Sequence, residues 1–169
     1  MAILRHLLSI LLLPFVVVVI IPRWLLRAWS ASDTRWVGGT VAAAAAHIGG
    51  MVLFLAGFAL FAWCVSLFAR VGQGTLAPWD PTRRLVAVGP YRYVRNPMIS
   101  AVLTMLLGEA LFLGSRVIGI WAATFFVINN IYFRFSEEPG LERRFGAGYL
   151  EYKSGVRRWV PGRKPWKNA

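Results

Sequence analysis

Four apolar runs constrain the fold of this chain more than any other feature. They span residues 7–21, 37–68, 98–113 and 117–135. A membrane-crossing helix needs about 20 apolar residues, and these runs match or approach that length. Apolar residues make up 57% of the chain and charged ones 15%. One core of 169 residues could not bury that much apolar surface in water. The expected fold is therefore all-α: a polytopic integral-membrane helical bundle. No run alternates at period two, and no internal repeat is present.

The run 7–21 is closed by Pro22 and could be read as a signal-peptide core. Arg23 and Arg27 follow it directly, and Trp24 and Trp29 have the character of interfacial anchors, which favours a retained helix. A kink is expected at Pro14. The run 37–68 exceeds one span, so it is either a long tilted helix or two pieces broken near Gly49–Gly50. Its small stretch Ala42–Ala46 suits close helix–helix approach. Only Gly114, Ser115 and Arg116 separate the last two runs, which predicts a tight antiparallel hairpin over 98–135.

The chain carries 19 Lys+Arg against 7 Asp+Glu, a formal net charge of +12. These basic residues lie mostly between and after the apolar runs, which favours topology signals and phosphate-facing loops over nucleic-acid binding. With four spans, the connection 69–97 and the tail 136–169 fall on the same side of the membrane. Arg70, Arg83, Arg84, Arg92 and Arg95 lie there, with nine basic residues from Arg134 to Lys167. Arg116 alone marks the hairpin tip opposite. The basic side, including the C-terminal tail, is expected to be cytoplasmic. Arg23, Arg27 and Arg35 then fall on the wrong side. A fifth span, made by splitting the second run, would remove that conflict. The expected setting is a bacterial or archaeal inner membrane. Cys64 is the single cysteine and has no intrachain partner, and His6 and His47 show no metal-ligand spacing. No metal site is expected. The sequence does not fix the oligomeric state.

Chemistry should concentrate where the two polar segments meet. The stretch Gly89-Pro90-Tyr91-Arg92-Tyr93-Val94-Arg95-Asn96-Pro97 runs into the third apolar run. Asn96 is placed as an N-cap and Pro97 as the first helical residue. A helix start flanked by Arg92 and Arg95 suits a carboxylate or a phosphate, although the same residues could simply meet lipid phosphates. The stretch Phe133-Arg134-Phe135-Ser136-Glu137-Glu138-Pro139 ends the fourth run. Its paired acids could hold an ammonium or a ribose, or could be the first turn of a helix capped by Ser136. Leu141, Phe145, Tyr149 and Tyr152 recur at helical spacing, which predicts an amphipathic helix over 139–153. Glu109 is ionisable within a run, a functional signal unless it lies near the far interface. Asn129 and Asn130 are expected to bond between helices or to line a pocket.

In this order, flanking a helical hairpin, these stretches resemble the integral-membrane methyltransferases of the isoprenylcysteine carboxyl methyltransferase and phospholipid methyltransferase type. The resemblance rests on Gly89, Tyr91, Arg95, Asn96 and Pro97, on Glu137 and Glu138, and on Phe145, Gly146, Tyr149, Tyr152, Arg158, Trp159 and Pro161. It covers about the C-terminal half of the chain. Asn96 stands where the family has histidine, and Ile99 where tyrosine is usual. The resemblance implies N-terminal membrane helices over 1–68 and a methyltransferase-like region over 69–169, with a cytoplasmic cofactor pocket. S-adenosylmethionine is the implied donor, contacted by Tyr91, Arg95, Asn96, Pro97, Glu137 and Glu138. Arg92 or Arg134 would orient the acceptor, and Glu138 is a candidate for the reacting centre. The implied acceptor is a membrane-dissolved, lipid-like molecule: a prenylcysteine-like carboxylate, a lipid amine or a thiol. The alternatives are a non-enzymatic lipid-binding or assembly subunit and a nicotinamide-dependent membrane reductase.

Overall fold

The computed structural model describes residues 14–33, 41–72 and 85–167. Among these residues every regular element is helical. A π turn, Val16–Ile20, leads into helix α1, Ile21–Ala28. Helix α2 spans Val41–Leu67 and closes on a second π turn, Phe68–Gly72. A 3-10 turn, Gly89–Arg92, precedes α3, Pro97–Leu113, and α4, Arg116–Tyr132. A third π turn, Phe133–Glu137, passes directly into α5, Glu138–Gly155. Two helical stretches are long and apolar enough to cross a membrane: α2, and the rod that begins at Arg116 and runs to Gly155. His6, Arg35, Asp80, Arg83 and Arg84 lie outside the described residues.

Pro22 does not end the first helix as expected. The chain passes it by widening one turn beforehand. Ile21 donates its N–H to Val16, a five-residue step rather than four. Pro22 has no N–H to offer, so in the same widened register the Val17 carbonyl loses a partner. The Trp121 indole from α4 supplies one at 3.0 Å. Pro139 repeats the device. Glu138 donates to Phe133 across the third π turn, and the helix runs on through the proline. Ser136 therefore does not cap a separate tail helix, and the acids beside it are not a capped first turn. Pro14 is the first described residue of its segment, so the expected kink there lies at the edge of what is described.

α2 is unbroken at Gly49–Gly50, which removes the basis for a fifth span. The glycines instead let α2 and α3 touch backbone to backbone. A Cβ on Gly50 would fall 2.5 Å from the Phe112 nitrogen, and one on Gly108 would fall 2.7 Å from the Gly50 oxygen. Gly57 meets the Ala101 carbonyl oxygen in the same way, at 2.8 Å. The alanine stretch expected to do this is mostly exposed; only Ala43 is buried. His47 bonds back to the Ala43 carbonyl and sets its ring edge-on to Phe112, so it belongs to this packing face. Phe61, Ala101, Val102, Met105, Leu106 and Ala122 form the core between α2, α3 and α4. Ile48, Val52, Leu55 and Phe58 on α2, with Val127, Ile128 and Ile131 on α4, stay exposed, as suits helices facing lipid.

The hairpin closes as its three linking residues require. Gly114 takes a left-handed conformation at φ 63, which only glycine adopts without strain. Ser115 caps α4, accepting from the Ile118 N–H at 3.2 Å. Asp33 then binds this tip from the first helical segment. It accepts from the Ser115 hydroxyl at 2.6 Å and from the Val117 N–H at 3.2 Å. The hairpin tip and the end of α1 thus share one end of the bundle, and the polar stretches lie at the other.

The α2–α3 contact has no room for a side chain. Gly108→Val should lower stability in detergent by at least about 2 kcal/mol through overpacking, read from the thermal unfolding transition. The same change at Gly119, where nothing lies within 4 Å, should have a much smaller effect.

Candidate active site

The stretch before α3 is held by the C-terminal residues rather than by its own turns. Arg95 donates its N–H to the Arg157 carbonyl at 2.9 Å, Gly162 to Tyr93 at 2.8 Å and Trp166 to Arg92 at 2.8 Å. As one segment advances the other retreats, so the two run antiparallel. The Arg92 Nε donates to the Trp166 carbonyl at 2.6 Å, and the Tyr152 hydroxyl to the Tyr91 carbonyl at 2.7 Å. Tyr149, Tyr152 and Val156 are buried beneath this strap. Gly146 takes a non-helical conformation, φ 53 and ψ -130, which kinks α5 into two helical pieces, so the second piece reaches this corner at an angle.

Glu138 sits where these pieces converge and is 5% exposed. Arg158 grips its carboxylate with two bonds, Nε at 2.7 Å and Nη2 at 3.0 Å. Arg95 Nη1 lies 3.3 Å away and Lys153 Nζ 3.4 Å. Burial alone would raise the Glu138 pKa. The bond from Arg158 and the charges of Arg95, Arg158 and Lys153 outweigh burial and hold it below its ordinary value. Arg158 also reaches the Asn130 side-chain oxygen at 3.3 Å, which accepts from the Trp159 indole at 3.1 Å. Asn130 therefore joins α4 to the tail, whereas Asn129 bonds back within its own helix.

Glu137 differs from its neighbour. No hydrogen bond or ion pair engages its carboxyl among the described residues. Burial and the adjacent Glu138 charge push its pKa up to about 7. Arg95 is the complementary case. Its Nε and Nη1 are buried without a hydrogen-bond acceptor, although the Glu138 charge is close by. A buried guanidinium with unsatisfied donors fits an anionic group such as a carboxylate.

The remaining expected site residues are placed as follows. Tyr91 is buried beside Cys64 and Val86, with Phe68 edge-on at 5.5 Å. Asn96 occupies the N-cap position of α3, but its side chain makes no capping bond. Pro97 is the first residue of α3 and fully buried. Arg134 is exposed, with its guanidinium over the Phe135 ring at 6.0 Å, and is not drawn into the Arg95–Glu138 cluster. Residues 73–84, expected to form part of the pocket wall, lie outside the described residues. Arg158 stands in the sequence only as part of the family pattern, Tyr149 only as one of the helically spaced residues, and Lys153 only as the end of the expected helix 139–153; no local signal marks them as partners of Glu138 or Arg95.

A family model described as phospholipid methyltransferase matches residues 45–148. The chain belongs to the phospholipid methyltransferase family. The match takes in most of α2, the stretch before α3, the hairpin and the paired acids. No curated protein and no solved structure matches the chain. Membership makes this a membrane methyltransferase chain with lipid as the substrate class.

Removing one partner of a buried ion cluster leaves the rest uncompensated. Glu138→Gln should cost about 3 kcal/mol of stability, and Glu138→Gln with Arg158→Gln should cost less than the sum of the two, measured as a double-mutant cycle by thermal unfolding. The folded-state pKa of Glu138 is lowered, so its stabilisation is present above the ordinary carboxylate range and is lost as pH falls through the depressed value. Wild type should therefore lose more stability than Glu138→Gln on acidification below about pH 4.5.

Proposed function

We propose that the protein transfers a methyl group from S-adenosylmethionine to the amine of a membrane lipid, in a corner formed by Tyr91–Pro97, Glu137–Glu138 and the C-terminal strap. The observation that carries this reading is Arg95, a buried cation with two unsatisfied nitrogens beside a helix start and an uncommitted acid. In a methyltransferase family, the usual donor has a carboxylate suited to such a cation.

The donor, when bound, supplies a sulfonium methyl group for in-line displacement, a reaction that depends on alignment and exclusion of water. Arg95 holds the carboxylate, and the first N–H groups of α3 add positive potential next to it. Asn96, with its side chain free of capping, supplies a hydrogen-bonding group where the family has histidine. Tyr91 and Pro97 make the apolar wall. Glu138 positions Arg95 through the ion cluster. Glu137 has the free carboxyl. A lipid ammonium must lose a proton before its nitrogen can attack, and a carboxylate that titrates near neutral pH is suited to take it. A prenylcysteine-like carboxylate or a thiolate would need no such base, which is why the amine is preferred. Arg92, held by Trp166, and Arg134, exposed where the helix leaves the apolar zone, would meet the lipid phosphate. This reading puts the corner and the tail on the cytoplasmic side of a four-span chain.

Calorimetry of the detergent-solubilised protein with S-adenosylhomocysteine should show binding that Arg95→Ala weakens at least tenfold. A wild-type protein that does not bind it rejects the donor assignment. With labelled donor and an ethanolamine phospholipid, the rate should fall as pH drops through about 7, because protonated Glu137 cannot accept a proton. Glu137→Gln should slow the reaction and remove that limb. A limb unchanged in Glu137→Gln would assign the proton to another group.

A further inference from the structure

Two arginines reach the carboxylate of Glu138, on different terms. Arg158 bonds both oxygens, through Nε at 2.7 Å and Nη2 at 3.0 Å. Arg95 Nη1 lies 3.3 Å from Oε1, close enough for a hydrogen bond, yet it makes none. The Arg95 Nε is also buried and also lacks an acceptor. A guanidinium and a carboxylate favour two parallel bonds, and a buried donor left without an acceptor is costly. Arg95 would therefore close on Glu138 if both oxygens were open to it. Arg158 already holds them.

The grip of Arg158 is set from another helix. Its Nη1 donates to the Asn130 side-chain oxygen on α4 at 3.3 Å, so Nε, Nη1 and Nη2 are all bonded. The same oxygen accepts from the Trp159 indole at 3.1 Å. Trp159 packs on Phe126 and Phe133, with ring centroids 4.9 Å and 5.6 Å away. Lys153 cannot replace this arginine. It stands 3.4 Å from Glu138 Oε2, is paired with Glu142 as well, and has no fork to span a carboxylate. The Arg95 backbone is held separately, by the Arg157 carbonyl at 2.9 Å, and that bond does not involve the Arg158 side chain.

We propose that Arg158 is a positioning residue for donor binding. By occupying both oxygens of Glu138, it keeps Arg95 from closing on that acid and leaves Arg95 Nε and Nη1 for the carboxylate of the donor. Without Arg158, Arg95 turns its fork onto Glu138, and an incoming carboxylate must displace it. This role rests on S-adenosylmethionine being the donor, and it belongs to a residue that does not itself touch that molecule.

The test compares S-adenosylhomocysteine with 5′-methylthioadenosine, which keeps the nucleoside and the sulfur but lacks the amino-acid arm with its carboxylate. Each is titrated by calorimetry into the full chain in detergent, with thermal unfolding to confirm that each variant is folded. Arg158→Gln should weaken S-adenosylhomocysteine about tenfold and methylthioadenosine by less than about twofold. Arg158→Lys keeps the positive charge beside Glu138 and serves if the first variant fails to fold. It should show the same selective loss, about threefold, because a lysine cannot hold both oxygens. Adding Glu138→Gln to Arg158→Gln removes the charge that draws Arg95 away, and should recover about threefold or more of the S-adenosylhomocysteine affinity. Equal weakening of the two ligands would make Arg158 a residue of the fold alone and overturn the proposal. A double variant that binds S-adenosylhomocysteine no better than Arg158→Gln overturns it too. So does undiminished binding of S-adenosylhomocysteine in both Arg158 variants, a result that leaves the donor assignment standing. Wild type that binds neither ligand rejects the donor itself, and this role with it.

Discussion

A single buried carboxylate ties together three parts of the chain that are distant in sequence. Glu138 belongs to the rod that leaves the membrane, Arg95 to the turn before α3, and Arg158 to the segment after α5. An acid so deep is tolerated only when its charge is matched and its oxygens are bonded. Three cations meet that requirement: Lys153 comes from the same helix, while Arg95 and Arg158 each bring a separate segment with them. The antiparallel strap then fixes residues 91–95 with backbone bonds that do not depend on side-chain identity. What lacks a hydrogen-bond partner at the centre is narrow: two nitrogens of Arg95, one of them ion-paired with Glu138, and the carboxyl of Glu137. The same ion cluster that holds the corner together defines its unfilled valence.

The two ends of the bundle are governed by different physics. Toward the hairpin tip, structure follows from local capping. Gly114 and Ser115 satisfy the exposed ends of α3 and α4 within a few residues, and Asp33 adds one partner from the first helical segment. Toward the other end, structure follows from long-range pairing between segments tens of residues apart. Midway, Gly50, Gly57 and Gly108 replace side-chain packing by direct backbone contact, which suits helices that gain little from hiding apolar groups from lipid.

Much of the fold could be read in the sequence, because apolar length and turn chemistry are local signals. The hairpin is the clearest case: three residues between two apolar runs leave one geometry. The meeting of Arg95 with Glu138 could also be read, through the ordered residues that resemble the family. What could not be read depends on tertiary partners. Pro22 is a helix-ending signal in isolation, and only Trp121 from another helix makes the continuation tolerable. Ser136 followed by two acids reads as a capped helix start, yet the helix above it never stops. Glu137 and Glu138 look equivalent in the sequence. Arg158, twenty residues on, makes one a structural anchor and leaves the other free.

The widened turn before Pro139 has a consequence for how the rod faces its surroundings. A π turn carries one residue more than a regular turn, and one residue is worth about 100° of rotation. The angular phase of α5 is therefore offset from that of α4. The stripe of α4 that looks toward hydrocarbon does not continue as a stripe of α5. The offset is fixed, so the lipid-facing stripe of α4 and the side of α5 that carries Tyr149 and Tyr152 point in different directions, and residues on that stripe can vary without touching the buried side of α5.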